Sequence, residues 1–116
     1  MINGAHVIVY SRDADADRAF IRDVLGFAGV DAGQGWLIFK LPPAELAAHP
    51  TDGPPRYEFS LMCDDIEATL AGLVARDVVI AKPVSDEGWG LLAAIRLPSG
   101  ADLPIYEPRH PLARSV

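Results

Sequence analysis

Thr51-Asp52-Gly53-Pro54-Pro55 falls almost at the midpoint of the 116-residue chain and is its most turn-rich stretch. On either side the same order of elements is expected: strand, helix, then three strands. A shift of 52 residues lays His6 over Glu58, Tyr10 over Met62, Asp13 over Asp65 and Asp17 over Thr69. Leu41-Pro42 falls over Leu97-Pro98 at a shift of 56, as loops of drifting length require. A chain built this way reads as one domain over residues 1–116, made of two modules at about 1–50 and 56–110 with a linker at 51–55. The modules need each other to enclose a common cleft.

The individual elements follow from hydrophobic periodicity. Ala5–Tyr10 is a short β-branched run and reads as a strand. From Asp13 the period becomes helical, with Ala16, Phe20 and Val24 on one stripe and Gly26 as the C-terminal stop. Short strands are expected at 27–30, 36–41 and 45–49, the second closed by Pro42-Pro43 and the third by Pro50. After the linker, 57–63 reads as a strand. Residues 65–76 read as a helix whose core positions are Ile66, Leu70, Leu73 and Val74. Strands are expected at 78–80, 91–97 and 103–106, with Pro98-Ser99-Gly100 as the last turn.

Half the residues are hydrophobic, enough for a core without a disulfide or metal staple. The formal charge of −6 and a sequence pI near 4.8 argue against a nucleic-acid partner, whose phosphates call for a basic face. Much of that charge has a local purpose. Asp13, Asp15 and Asp17 open one helix and Asp64, Asp65 and Glu67 the other, where carboxylates accept first-turn N–H groups and complement the helix dipole. Asp64 and Glu67 also have the spacing of a capping box. The opening MINGAHVIVYSRD has no basic segment and too short an apolar run for a signal peptide or membrane span. Cys63 stands alone, without zinc-site spacing, so a reducing cytoplasm is the expected setting.

Several segments together resemble the vicinal oxygen chelate superfamily, which includes glyoxalase I, extradiol dioxygenases and bleomycin resistance proteins. They are the opening strand Gly4-Ala5-His6-Val7-Ile8-Val9, the helix end Val24-Leu25-Gly26-Phe27, the strand-to-helix start Tyr57–Ile66, and the closing Leu97-Pro98-Ser99-Gly100 with Ile105-Tyr106-Glu107-Pro108. The likeness spans nearly the whole chain. It implies an α+β fold in which tandem βαβββ modules form an open, cup-shaped mixed or antiparallel sheet with helices on the outer face. It also implies a small-molecule ligand and a homodimer, with modules swapped between subunits in some members.

The resemblance places His6 at the family's first metal-ligand position and Glu58 where a second His is usual. Strand alternation puts Ile8 and Tyr10 on the face of His6, and Ser60 and Met62 on the face of Glu58. The strand at 45–49 offers Glu45 or His49. On the closing strand Pro104 stands where a ligand Glu is usual, leaving Asp102 or Tyr106 on its face and Glu107 on the other. A set of His6, His49 and Glu58, with Glu45 or Asp102 as substitutes, would suit a divalent Fe, Mn, Ni or Zn ion. Such an ion would act as a Lewis acid on vicinal substrate oxygens, as in a glyoxalase-type lyase or isomerase or a dioxygenase. Glu58, if uncoordinated, would serve as general base. The second expectation is a metal-free, drug-sequestering protein whose cleft is lined by Ile8, Tyr10, Ser60, Met62 and Tyr106. Trp36 and Trp89 read as core or cleft wall, and His110 as tail.

Overall fold

A computed structural model of the chain describes residues 6–45, 47–54 and 56–113. The expectations that fall on Gly4, Ala5, Leu46 and Pro55 lie outside the described residues. Helix α1 (Ala14–Asp23) starts at Asp13, whose carboxylate accepts the Ala16 N–H at 3.1 Å. The antiparallel pair β1 (Gly29–Asp31) and β2 (Leu37–Phe39) follows. Its turn is drawn tight by Asp31, whose Oδ1 accepts the N–H groups of Gly33 and Gly35. The second part holds β3 (Leu61–Met62), α2 (Ile66–Val74), β4 (Ile80–Asp86), β5 (Gly90–Arg96) and β6 (Asp102–Pro108).

These last strands form one mixed sheet in the order β3-β6-β5-β4, with β3 parallel to β6 and the other pairs antiparallel. The βαβββ order is therefore complete in the second part. Parallel pairing of its first and last strands leaves α2 on one face of the sheet. Ile66 and Leu70 of α2, with Val78 just beyond it, pack against Ala93, Ile95, Leu97, Leu103 and Ile105. The strand residues are all odd-numbered, the alternation a one-sided core requires. Phe20, Val24 and Leu25 at the end of α1 pack against the same cluster.

Several boundaries differ from the sequence expectation. Residues 6–10 join no strand ladder within the chain, although β3 and β4 each leave one edge unpaired. The described residues of 45–49 are likewise outside any strand; Pro42, Pro43 and Pro50 remove backbone donors around them. The strand expected at 57–63 pairs only at Leu61 and Met62, which sit opposite Ile105 and Tyr106. The short strand at 78–80 instead begins at Ile80 and runs to Asp86, passing through Pro83 within the register shift between Lys82 and Ser85 on the sheet edge, where a missing donor is tolerated. Val74 is 51% exposed rather than core, since α2 is ending there.

The acid assignments also shift. The cap of α2 is Asp65, which accepts from the Ala68 N–H at 3.1 Å, so the Asp64–Glu67 spacing is not the cap. Ile66 N–H is taken at 3.0 Å by Glu107, reaching across from β6. Asp17 is not merely a helix-opening charge. It is only 4% exposed and accepts from both the backbone N–H (3.1 Å) and the hydroxyl (2.8 Å) of Ser99. This pair joins α1 to the turn between β5 and β6.

Asp77 closes α2 with φ at +64°, a left-handed conformation, while Val78 N–H returns to Leu73 C=O. A side chain there carries a steric penalty that glycine avoids. Asp77→Gly should therefore stabilise the fold by about 0.5–1 kcal/mol. The check is a higher urea midpoint at unchanged slope; an unchanged or lower midpoint would contradict it.

Candidate ligand-binding face

The sheet face turned away from α2 is defined by register. Met62 lies opposite Tyr106, Tyr106 opposite Leu92, and Leu92 opposite Ser85, so one row crosses all four strands. The neighbouring row pairs Pro104 with Ala94. Met62, Leu92, Pro104 and Tyr106 are half-buried and Ala94 is buried. At the edge of this face Arg96 and Asp102 meet at 3.4 Å.

Trp89 joins the face edge-on to Tyr106, with ring centroids 5.6 Å apart and planes at 78°. Gly90 makes this approach feasible. A Cβ there would lie 2.6 Å from the Glu107 carbonyl oxygen, so only glycine lets the start of β5 lie this close to the end of β6. Beyond β6 the backbone N–H of Arg109 donates to the Trp89 carbonyl, and the Arg109 side chain pairs with Asp86 at 2.9 Å. The Gly88 N–H and then Arg109 hold the Asp86 carboxyl below the usual carboxylate range. The sign follows: this tie is present above the ordinary Asp pKa and is lost as pH falls through the lowered value. His110 follows Arg109 in the chain, with its ring 6.1 Å from that of Tyr106 and its Nδ1 2.8 Å from the Pro111 carbonyl oxygen.

Residues expected to ligate a metal are distributed differently. His6, His49 and Glu58 are all exposed, and Glu58 accepts from Arg56 at 3.3 Å. Glu45 is half-buried and accepts the Ala113 N–H. Asp102 is engaged by Arg96, and Pro104 faces the sheet row without a side-chain donor. Among the described residues, no three His, Cys, Asp or Glu side chains lie together as a group able to hold an ion. This donor set, as arranged in one chain, does not fit a metal. Ile8 and Tyr10 are 61% and 90% exposed, and Ser60 is half-buried just ahead of β3.

Glu107 faces the α2 side, as alternation requires. Cys63 is half-buried and its thiol donates to the Tyr106 carbonyl at 3.6 Å. Burial first, then the nearby charges of Glu107, Asp64 and Asp65, push the thiol pKa up, with a hydrogen bond to Thr69 opposing them. A thiol held protonated in this way is a poor nucleophile. Leu92 and His110 are not among the site residues expected from the sequence. Leu92 was within reach, since it shares parity with Ala94 on a strand whose odd positions are core. Trp36 is not core: it is 66% exposed, with the Arg18 guanidinium 5.0 Å from its ring centroid.

The chain belongs to the Glyoxalase/Bleomycin resistance protein/Dioxygenase superfamily, whose family model matches residues 4–108. Solved structures share the fold. A lactoylglutathione lyase from Agrobacterium tumefaciens is 22% identical, with a TM-score of 0.66 over 90% of this chain and 92% of that one. An antibiotic-binding protein from a Streptomyces species is 24% identical, with a TM-score of 0.60 over 93% and 99%. A superfamily member from Sphaerobacter thermophilus is 22% identical, with a TM-score of 0.60 over 91% and 98%. Comparison with curated proteins gives no match. Among the described residues, no helix is long and apolar enough to cross a membrane.

Proposed function

We propose that this protein binds a small, largely apolar and planar ligand against the sheet face of Met62, Leu92, Pro104 and Tyr106, and that it does so without a resident metal. The row from Met62 through Tyr106 to Leu92 carries this reading. It offers methylene, thioether and aromatic surface, while the acids near it are occupied elsewhere. Trp89 set edge-on to Tyr106 leaves aromatic surface for a planar guest, and aromatic pairs of this kind contribute about 0.5–1.5 kcal/mol beyond area burial. His110 follows Arg109 at the end of the platform, where its ring supplies a polar contact that orients the guest.

The superfamily includes metal-dependent members, and the shared fold with a lactoylglutathione lyase and with an antibiotic-binding protein is compatible with either class. The donor chemistry favours the second. Metal analysis of purified protein tests the choice, with His6→Ala as the comparison. The expected result is less than stoichiometric divalent metal, the same in both proteins, and thermal stabilisation by planar aromatic compounds in the presence of a chelator. A stoichiometric ion lost in His6→Ala, with stabilisation by divalent metal alone, would overturn the reading. It would return His6, Glu58 and one of His49, Glu45 or Asp102 to the role of ligands.

A further inference from the structure

The two ring nitrogens of His110 are in different states. Nδ1 lies 2.8 Å from the Pro111 carbonyl oxygen. A carbonyl oxygen only accepts, so the hydrogen of that bond is on Nδ1. A neutral imidazole carries one N–H, which leaves Nε2 as a lone-pair acceptor. Among the described residues nothing donates to Nε2. The ring is half-buried, yet no such described residue hides an unbonded side-chain nitrogen or oxygen from solvent, so Nε2 reaches water.

The surroundings of this open acceptor are aromatic. The His110 ring is inclined by 38° to that of Tyr106, which in turn meets Trp89 edge-on. The nearby charges are spent on each other, Arg109 on Asp86. The acceptor therefore stands beside an aromatic surface with no donor of the protein's own to satisfy it. A metal ion would need further ligands, and among the described residues no group of His, Cys, Asp and Glu gathers around His110 to supply them.

We infer that His110 selects the ligand: the guest is a planar ring that carries an N–H or O–H at its edge and donates it to Nε2 while the ring lies against Tyr106. This rests on the binding face proposed above and names the chemistry it accepts. A ring laid on Tyr106 removes the water that Nε2 meets in the empty site. An edge donor on the guest replaces that water's hydrogen bond. A guest with only acceptors at the same edge leaves Nε2 unpaired and sets lone pair against lone pair, which is the source of the discrimination. Ethers, esters and carboxylates of otherwise suitable shape are thereby disfavoured.

Calorimetric titration of the chelator-treated full chain with indole and with benzofuran tests the selection, at about pH 8, where an ordinary imidazole is neutral. The two probes share a shape, but indole presents an N–H that can only donate and benzofuran an oxygen that can only accept. Indole is expected to bind roughly three- to tenfold more tightly, and the ratio should fall to about one in His110→Phe, which keeps a ring but no nitrogen. Nitrogen NMR of the unaltered protein should find the proton on Nδ1 of His110, and an Nε2 resonance that moves with indole and not with benzofuran. Equal affinities in the parent, both weakened by Tyr106→Ala, would overturn the selection and leave the binding face standing. A preference for indole that survives His110→Phe, or a proton found on Nε2 of the neutral ring, would also overturn it. Should His110→Phe fail to fold, the nitrogen resonances of the unaltered protein decide the matter alone. Binding of neither probe, or binding indifferent to Tyr106→Ala, would overturn the face and the selection together.

Discussion

Ile95→Ala should destabilise the protein by about 3–4 kcal/mol, the largest effect expected of any single truncation. Ile95 has no exposed surface and lies on β5 among Ile66, Leu70, Leu97, Leu103 and Ile105. Removing three carbons there forfeits both their transfer from water and the contacts of every neighbour. The backbone cannot collapse to fill the gap, because β5 is held on both sides, by β4 and by β6. Urea unfolding monitored by far-UV circular dichroism would show the loss. By contrast, Val74→Ala at the exposed end of α2 should change stability by less than about 0.5 kcal/mol. Similar losses at the two sites would mean that the α2 face of the sheet is not the main core.

Asp17→Ala is expected to cost about 1–3 kcal/mol. Both carboxylate oxygens are used, one by the Ser99 N–H and the other by its hydroxyl, and the residue is buried. Alanine would leave two part-buried donors without their acceptor and would release α1 from the turn between β5 and β6. Asp17→Asn retains one acceptor and should lose less. Ser99→Ala removes one of the two bonds while keeping the backbone donor, so it too should lose less than Asp17→Ala. Because the two residues act as a unit, the double variant should cost clearly less than the sum of the singles. Strict additivity in that cycle would show that the pair does not couple α1 to the sheet.

The helices were legible because their signals are local. Asp13 and Asp65 each stand three residues before the N–H they accept, and they coincide under the 52-residue shift. β5 and β6 were legible for the same reason: an apolar run, a Pro98-Ser99-Gly100 turn, and a second apolar run whose parity puts Pro104 and Tyr106 on one face. The opening segment is different. Residues 6–10 have every propensity of a strand, but a strand exists only where another edge receives its hydrogen bonds, and propensity does not say which edge. The Asp17–Ser99 pair spans 82 residues, and the contact between Glu107 and Ile66 spans 41. Neither leaves a pattern in a single sequence. The candidate metal set follows from a family resemblance together with strand parity, neither of which shows the partners a carboxylate has within one chain, such as Arg96 for Asp102 and Arg56 for Glu58. Trp89 reaches the binding face through the close approach that Gly90 permits, a tertiary effect invisible in the dipeptide itself.

The most direct test of the proposed binding face is a fluorescence titration of chelator-treated protein with a planar aromatic compound that stabilises it, comparing the parent with Tyr106→Ala. Trp89, in contact with Tyr106, should report binding through a saturable change in its emission, with Trp36→Phe used throughout to remove the other indole. Loss of the Tyr106 ring should weaken the affinity by roughly tenfold or more, the equivalent of about 1.4 kcal/mol, while the chelator has no effect on the parent. Affinity that is indifferent to Tyr106→Ala, or that appears only when a divalent ion is restored, would contradict the account.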